Sequence, residues 1–360
     1  MILTDTVKER IAIMRPLLIL GVVYVHTGGI GDSISWEWSN PFEYLVATLR
    51  NGLFRAAVPM LTLISGFLLF GAALDQHPAK MMRKKARTLV IPFLVFNFAF
   101  VALMLPLEVF FGFAHRVPLT GVDFLGWLDR LFALRGTPFN MPLYFLRDMV
   151  VLVILAPLFG YLLRKVPVLG LVAVSVVFYF DLDSYLVLRS TSAILFYIGG
   201  LAAIYRWNLE TFDRYATLCA VFILAACLAF VAMRGEKTLW LALTLPFLLW
   251  PASALLHGTR IAAWALKYNH YSFFVFVAHF PLMFLGWQFI LHYARFVPFP
   301  VYFVFSPLVT VAFLMVVYNL LMRVAPRAFS TAIGNRTKRQ ESAGQQTGVE
   351  KAGLPPRPAR

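Results

Sequence analysis

Arg15 and His26 stand eleven residues apart in a stretch that is almost wholly apolar from Pro16 to Val25. On an α-helix, at about 100° per residue, eleven steps make three turns plus roughly 20°, so the two side chains share one face about 16 Å apart along the axis. A neutral imidazole takes and returns a proton near neutral pH, which makes His26 a candidate general base toward a hydroxyl. The Arg15 guanidinium offers a fixed charge and five donors, suited to a phosphate, a carboxylate or a thioester carbonyl. One helix could then align a donor on one side of a barrier with an acceptor on the other. The bland alternative is that Arg15 snorkels to a nearby surface while His26 lies at an interface, and geometry alone does not choose between them.

Other polar residues interrupt apolar runs, where each ionisable group costs about 2.5–3.5 kcal/mol on insertion scales and so calls for a partner, a wet cavity or a function. Arg55, in Phe54-Arg55-Ala56-Ala57-Val58-Pro59, falls close in depth to His26; it either lines the acceptor side or pairs with an acid such as Glu43. Ser65-Gly66 reads as a close helix-packing site, because small residues let backbones approach, and no base is placed to activate Ser65. Arg147 and Asp148 are adjacent, so on a helix they face apart by about 100° and each is expected to pair across helices. His279, ahead of Pro281, is a supporting or structural histidine. The cluster Arg83-Lys84-Lys85-Ala86-Arg87 either holds topology against anionic lipid or meets a nucleotide phosphate.

The elements that must position these groups follow from composition. The chain has 360 residues, of which 60% are hydrophobic and 14% charged, against about 45–50% and about 25% in soluble domains. Its mean hydropathy is +0.76. Apolar runs of about 20 residues, each long enough for a hydrocarbon core of about 30 Å, recur from end to end. They predict an all-α polytopic membrane bundle of ten spans, at 11–29, 43–73, 88–113, 144–164, 167–184, 190–206, 214–233, 238–256, 272–291 and 301–323. Pro59 is expected to kink the second. No cleavable leader is evident ahead of the first.

Ten spans put both termini on one side, together with the connections 74–87, 165–166, 207–213 and 257–271, where Lys80, Arg83, Lys84, Lys85 and Arg87 concentrate. That side is therefore expected to be cytoplasmic. Residues 1–330 form the expected transmembrane domain, and 331–360 a disordered basic tail too polar to bury a core. The 114–143 connection, rich in Trp, Phe and Leu, is expected to lie at the interface and cover a site. The net charge of +15 is read as membrane topology rather than nucleic-acid binding. Cys219 and Cys227, eight residues apart on one predicted helix, are about 12 Å apart and too far for a mutual disulfide. No GxxxxGK[ST], paired CxxC, HExxH or GxSxG occurs, so P-loop, zinc and nucleophile-elbow chemistry have no support.

Taken in order, the motifs resemble the acyltransferase-3 family of bacterial membrane O-acyltransferases. The Arg15-to-His26 spacing resembles its opening motif, and FRAAVPMLTLISGFLLF at 54–70 its second span. KKARTLVIPF at 84–93, PLYFLRDMVVLVILAPL at 142–158, FYIGG at 196–200 and SFFVFVAHFPLM at 272–283 are similar to later segments. Departures are Ala12 where an acid is common, Pro16 where a small residue is usual, and Lys84 where an arginine is common.

The resemblance implies a ten-helix enzyme of the bacterial inner membrane that moves an acyl group, acetyl by expectation, from cytoplasmic acyl-CoA. The acceptor would be a hydroxyl of an extracytoplasmic or lipid-linked glycan, and no bound cofactor or metal is implied. His26 would manage the acceptor's proton or carry the acyl group. Arg15, Lys84 and Arg87 would contact the donor, while Arg55, Arg147, Asp148 and His279 would line or support the acceptor side. The rival readings are a transporter or flippase using the same arginines as a charged pathway, and a scaffold in polysaccharide export.

Overall fold

The computed structural model describes residues 4–28, 41–113, 118–233 and 239–335, and among these every regular element is helical. Helix α1 (Asp5–Val25) starts where the Thr4 hydroxyl accepts the amide of Val7, an N-cap that satisfies one of the free first-turn donors. It ends at Thr27 and Gly28, whose φ of +97° turns the chain in a way that favours glycine. Helix α2 (Pro41–Val46) runs through a π-turn (Ala47–Gly52) and a 3-10 turn (Leu53–Ala56) into α3 (Ala57–Gly71). Pro59 lacks an N–H and crowds the carbonyl four residues back, at Arg55, so the irregular turns fall just before it. The same pattern recurs where α4 (Pro78–Lys85) passes through the π-turn Ala86–Val90 into α5 (Ile91–Phe111), which has Pro92 in its first turn.

The remaining helices are α6 (Phe124–Phe132), α7 (Tyr144–Lys165), α8 (Pro167–Tyr179), α9 (Ser190–Ile204), α10 (Ala216–Ala232), α11 (Leu239–Ala252), α12 (Arg260–Tyr268), α13 (Ser272–Tyr293), α14 (Phe299–Val324) and α15 (Pro326–Ala332). Among the described residues, seven helical stretches are long and apolar enough to cross a membrane: Pro41–Gly71, Pro78–Phe111, Met141–Lys165, Asp213–Ala232, Leu239–Leu256, Arg260–Tyr293 and Phe299–Val324. Each of the ten expected runs overlaps a helix among the described residues, but three differ from these seven for physical reasons. Helix α1 has 21 residues and is long enough, yet it carries Lys8, Glu9, Arg10 and Arg15. Helices α8 and α9, of 13 and 15 residues, reach only about 20 and 23 Å at 1.5 Å per residue.

Large apolar side chains cover the outside, among them Phe110, Val168, Phe222, Val309 and Val316, the reverse of a water-facing surface. With the apolar helices, this makes a multi-pass membrane protein. Helix α1 lies in the interior, packed against α3, α12, α13 and α14. Helices α3 and α9 make the closest approach. A Cβ on Gly66 would come within 2.1 Å of the Phe196 carbonyl oxygen, and one on Gly199 within 2.2 Å of the Leu63 oxygen. Ser65-Gly66 is thus a packing site, as the small residues suggested.

Two part-buried ion pairs tie helices together at one end of the bundle. Arg10, under the ring of Trp250 at 5.1 Å, grips Asp213 with two bonds of 2.9 and 2.5 Å. Arg164 bonds Asp75 at 2.6 Å beside Gly160. Within the 114–143 connection, Asp123 caps α6 by accepting the Gly126 amide at 2.8 Å. Asn97 of α5 ties that helix down by donating to the carbonyls of Arg130 and Leu131. Residues 114–117 of this connection lie outside the described residues. So does the tail beyond Asn335, whereas 331–335 finish α15 and turn back against the bundle.

Candidate active site

A cavity of about 1310 Å³ opens beside the basic cluster. The π-turn before Pro92 carries Arg87 into its wall, and Lys80, Arg83, Lys84 and Lys85 join from α4. Arg15 enters from α1. The three cations that sequence reading grouped, Arg15, Lys84 and Arg87, therefore line one space, although Arg15 is 69 residues from Lys84. Among the described residues no Asp or Glu lines it, so its field is positive and suits an anion.

The cavity wall also contains two serines. Ser65 donates to the Leu61 carbonyl at 2.7 Å, the bond of a hydroxyl folded back on its own helix rather than of an activated nucleophile. Ser272, at the start of α13, has a buried hydroxyl with no hydrogen-bond partner. It lies within the SFFVFVAHFPLM stretch, but nothing in its spacing distinguishes it from a routine helix-start serine. The turn at Gly334 and Asn335 closes part of the rim, and a Cβ on Gly334 would meet Thr88 Cα at 2.9 Å and the Arg87 oxygen at 3.0 Å.

The far end of the cavity reaches Ile19 on α1, Leu61 on α3 and the rings of Phe145 and Phe276. These two rings meet edge to face at 5.7 Å and 90°. Beyond them His26 sits at the C-cap of α1, its amide bonded to the Val23 carbonyl at 3.1 Å. Arg50 donates from Nε to the Val25 carbonyl at 3.1 Å, a cation on a helix C-terminus, and so fixes the turn that carries His26. The ring of His279 lies 5.4 Å from that of His26, and Phe280 meets His26 edge-on at 5.5 Å. Nothing in the sequence pairs His26 with His279, which are 253 positions apart.

Arg55 acts electrostatically on His26, Tyr144 and Arg189, and the Arg189 guanidinium lies over the Tyr144 ring at 5.3 Å. The suggested Arg55–Glu43 pair is not among the ion pairs of the described residues; Glu43 Oε2 is buried with no hydrogen-bond partner. Sequence reading passed over Arg50, Tyr144 and Arg189. The signal available was Arg50 itself, a second cation five positions from Arg55 in the same span.

Arg147 and Asp148 reach out of α7 to backbone elsewhere. Arg147 donates to the carbonyls of Ala133 and Leu186, while Asp148, fully buried, accepts the amides of Leu188 and Arg189 at 2.9 and 3.1 Å. They also touch each other at 3.4 Å, which the argument from helix faces did not anticipate. Their geometry is that of a clasp holding the connection before α7 and the one between α8 and α9 against α7. Among the described residues, no three His, Cys, Asp or Glu side chains converge as a metal site would need.

The membrane bundle thus holds a cationic cavity that leads toward His26 and the buried His279. Residues 9–319 match the acyltransferase domain family, and the chain belongs to that family, acyltransferase-3. It is 30% identical to the succinoglycan biosynthesis protein ExoH of Rhizobium meliloti (strain 1021), over 97% of this chain and 98% of the relative. No solved structure matches it.

Proposed function

We propose that this chain is an O-acyltransferase of the bacterial inner membrane that moves an acyl group from cytoplasmic acyl-CoA to a hydroxyl of an extracytoplasmic or lipid-linked glycan. The observation that carries the reading is the convergence of Arg15, Lys84 and Arg87 on one cavity whose inner end stops one aromatic layer short of His26 and His279. A glycan acceptor accords with a relative named for succinoglycan biosynthesis. The acyl group is expected to be acetyl.

In this reading the phosphates of the donor are held by Lys84 and Arg87, with Arg83 and Lys85 beside them. Arg15, further along the cavity, polarises the thioester carbonyl and stabilises the oxyanion that forms there. The acceptor hydroxyl enters from the end where His26, Arg50 and Arg55 gather. His26 takes its proton as the oxygen attacks the acyl carbon. The basic end is then the cytoplasmic one, as the positive-inside rule requires.

Mass spectrometry of surface glycans from cells with and without the protein tests the reading. An acyl increment of fixed mass that disappears with the protein is expected. Glycans of unchanged acylation but changed abundance would instead identify a transporter or a scaffold.

A further inference from the structure

His279 is fully buried in α13, and its Nδ1 lies 3.1 Å from the Val275 carbonyl oxygen and 2.8 Å from that of Phe276. Carbonyls only accept, so Nδ1 carries the hydrogen and Nε2 carries a lone pair. That Nε2 is buried without any hydrogen-bond partner. A protein does not ordinarily bury an acceptor and leave it empty, so the atom calls for a donor.

The nearest ring with a suitable donor is His26. Two imidazoles joined by an N–H···N bond of about 3 Å have ring centroids roughly 5 Å apart, and these two stand at 5.4 Å with planes inclined by 36°. Phe280 packs edge-on against the His26 ring at 5.5 Å, and the Arg50 bond to the Val25 carbonyl holds the turn that carries it.

We propose that His279 is the positioning residue for His26: its Nε2 accepts the N–H of His26, which fixes the ring and leaves the other His26 nitrogen unprotonated toward the acceptor. The inference rests on the general-base reading of His26 above. In the transfer, the acceptor O–H proton moves to that free nitrogen as the oxygen bonds to the acyl carbon. The C–S bond breaks with its electron pair on sulfur, and the proton passes from His26 to the departing thiolate. His279 stays neutral throughout and exchanges no proton with the substrates. It does with a lone pair what a carboxylate does behind the histidine of a catalytic triad.

The test compares His279→Asn, whose amide can still donate to the backbone carbonyls but has nothing at the Nε2 position, with His279→Gln, whose amide oxygen reaches that position. Both are assayed in membranes with acetyl-CoA and acceptor glycan, beside His26→Ala. Expected is a fall in kcat of about 100-fold for His279→Asn with the donor KM unchanged, and recovery of most of that loss in His279→Gln. Full activity in His279→Asn, or equal losses in both variants, would overturn the proposal while leaving His26 in place. An active His26→Ala protein would overturn the general-base reading itself.

Discussion

The ring of Phe276 stands 6.4 Å from the ring of His279, one helical turn away on α13, and Phe276 also lines the basic cavity. With Phe145 it makes the layer that parts the cavity from the histidine pair. In the proposed reaction an acyl group passes this layer to meet a hydroxyl at His26, while water is kept back. The Phe276→Leu protein should therefore hydrolyse donor in the absence of acceptor several-fold faster than the parent. Thiol release measured without glycan checks this, and an unchanged rate would place the route elsewhere.

Lys84 and Arg87 are exposed to the cavity from α4 and the following π-turn. Replacing either by Ala would remove the charge-assisted phosphate contact proposed for it, worth about 1.5–3 kcal/mol for bonds to charged groups before solvent screening reduces it. The donor KM is expected to rise on the order of ten-fold with kcat little changed. A drop in kcat at constant KM would instead place these residues at the reacting atoms.

Asp148 offers a contrast. Its carboxylate receives two backbone amides from the 188–189 turn and touches Arg147. Asp148→Ala leaves those two amides without their acceptor at a buried site and takes the carboxylate from Arg147, a loss of about 3–5 kcal/mol by analogy with broken buried pairs. Thermal unfolding in detergent should show a clear drop, and the folded fraction should retain most of its turnover. Lost turnover at unchanged stability would move Asp148 into the chemistry.

Gly334 has a φ of +78°, and a Cβ there would press on the backbone of Thr88 and Arg87. Gly334→Val should push the Arg87 turn away and raise the donor KM. Cutting the chain after Asn335 leaves this wall intact and should leave the KM unchanged; a KM that rises on truncation would assign a donor contact to the tail.

Much of this arrangement was legible in the chain because it is written locally. Hydropathy places the helices, Pro59 marks an irregular stretch, and Ser65-Gly66 marks a close packing site, which the fold gives to α9. The face shared by Arg15 and His26 is a matter of helical geometry over eleven residues. What escaped depends on contacts between distant segments. Arg10 finds Asp213 across 203 positions, and His26 meets His279 only because α1 packs against α13. Arg55 illustrates the limit from the other side. An acid twelve positions away looked sufficient as a partner, yet the turns before Pro59 change the helical phase between Glu43 and Arg55, and the tertiary neighbours are Tyr144 and Arg189.

The central claim is that His26 manages the acceptor's proton. Transfer of radiolabelled acetyl from acetyl-CoA to glycan, measured in membranes holding equal amounts of correctly inserted parent and His26→Ala proteins, tests it most directly. The account predicts loss of transfer by about 100-fold or more in the variant with donor binding retained; full transfer by the inserted His26→Ala protein would contradict it.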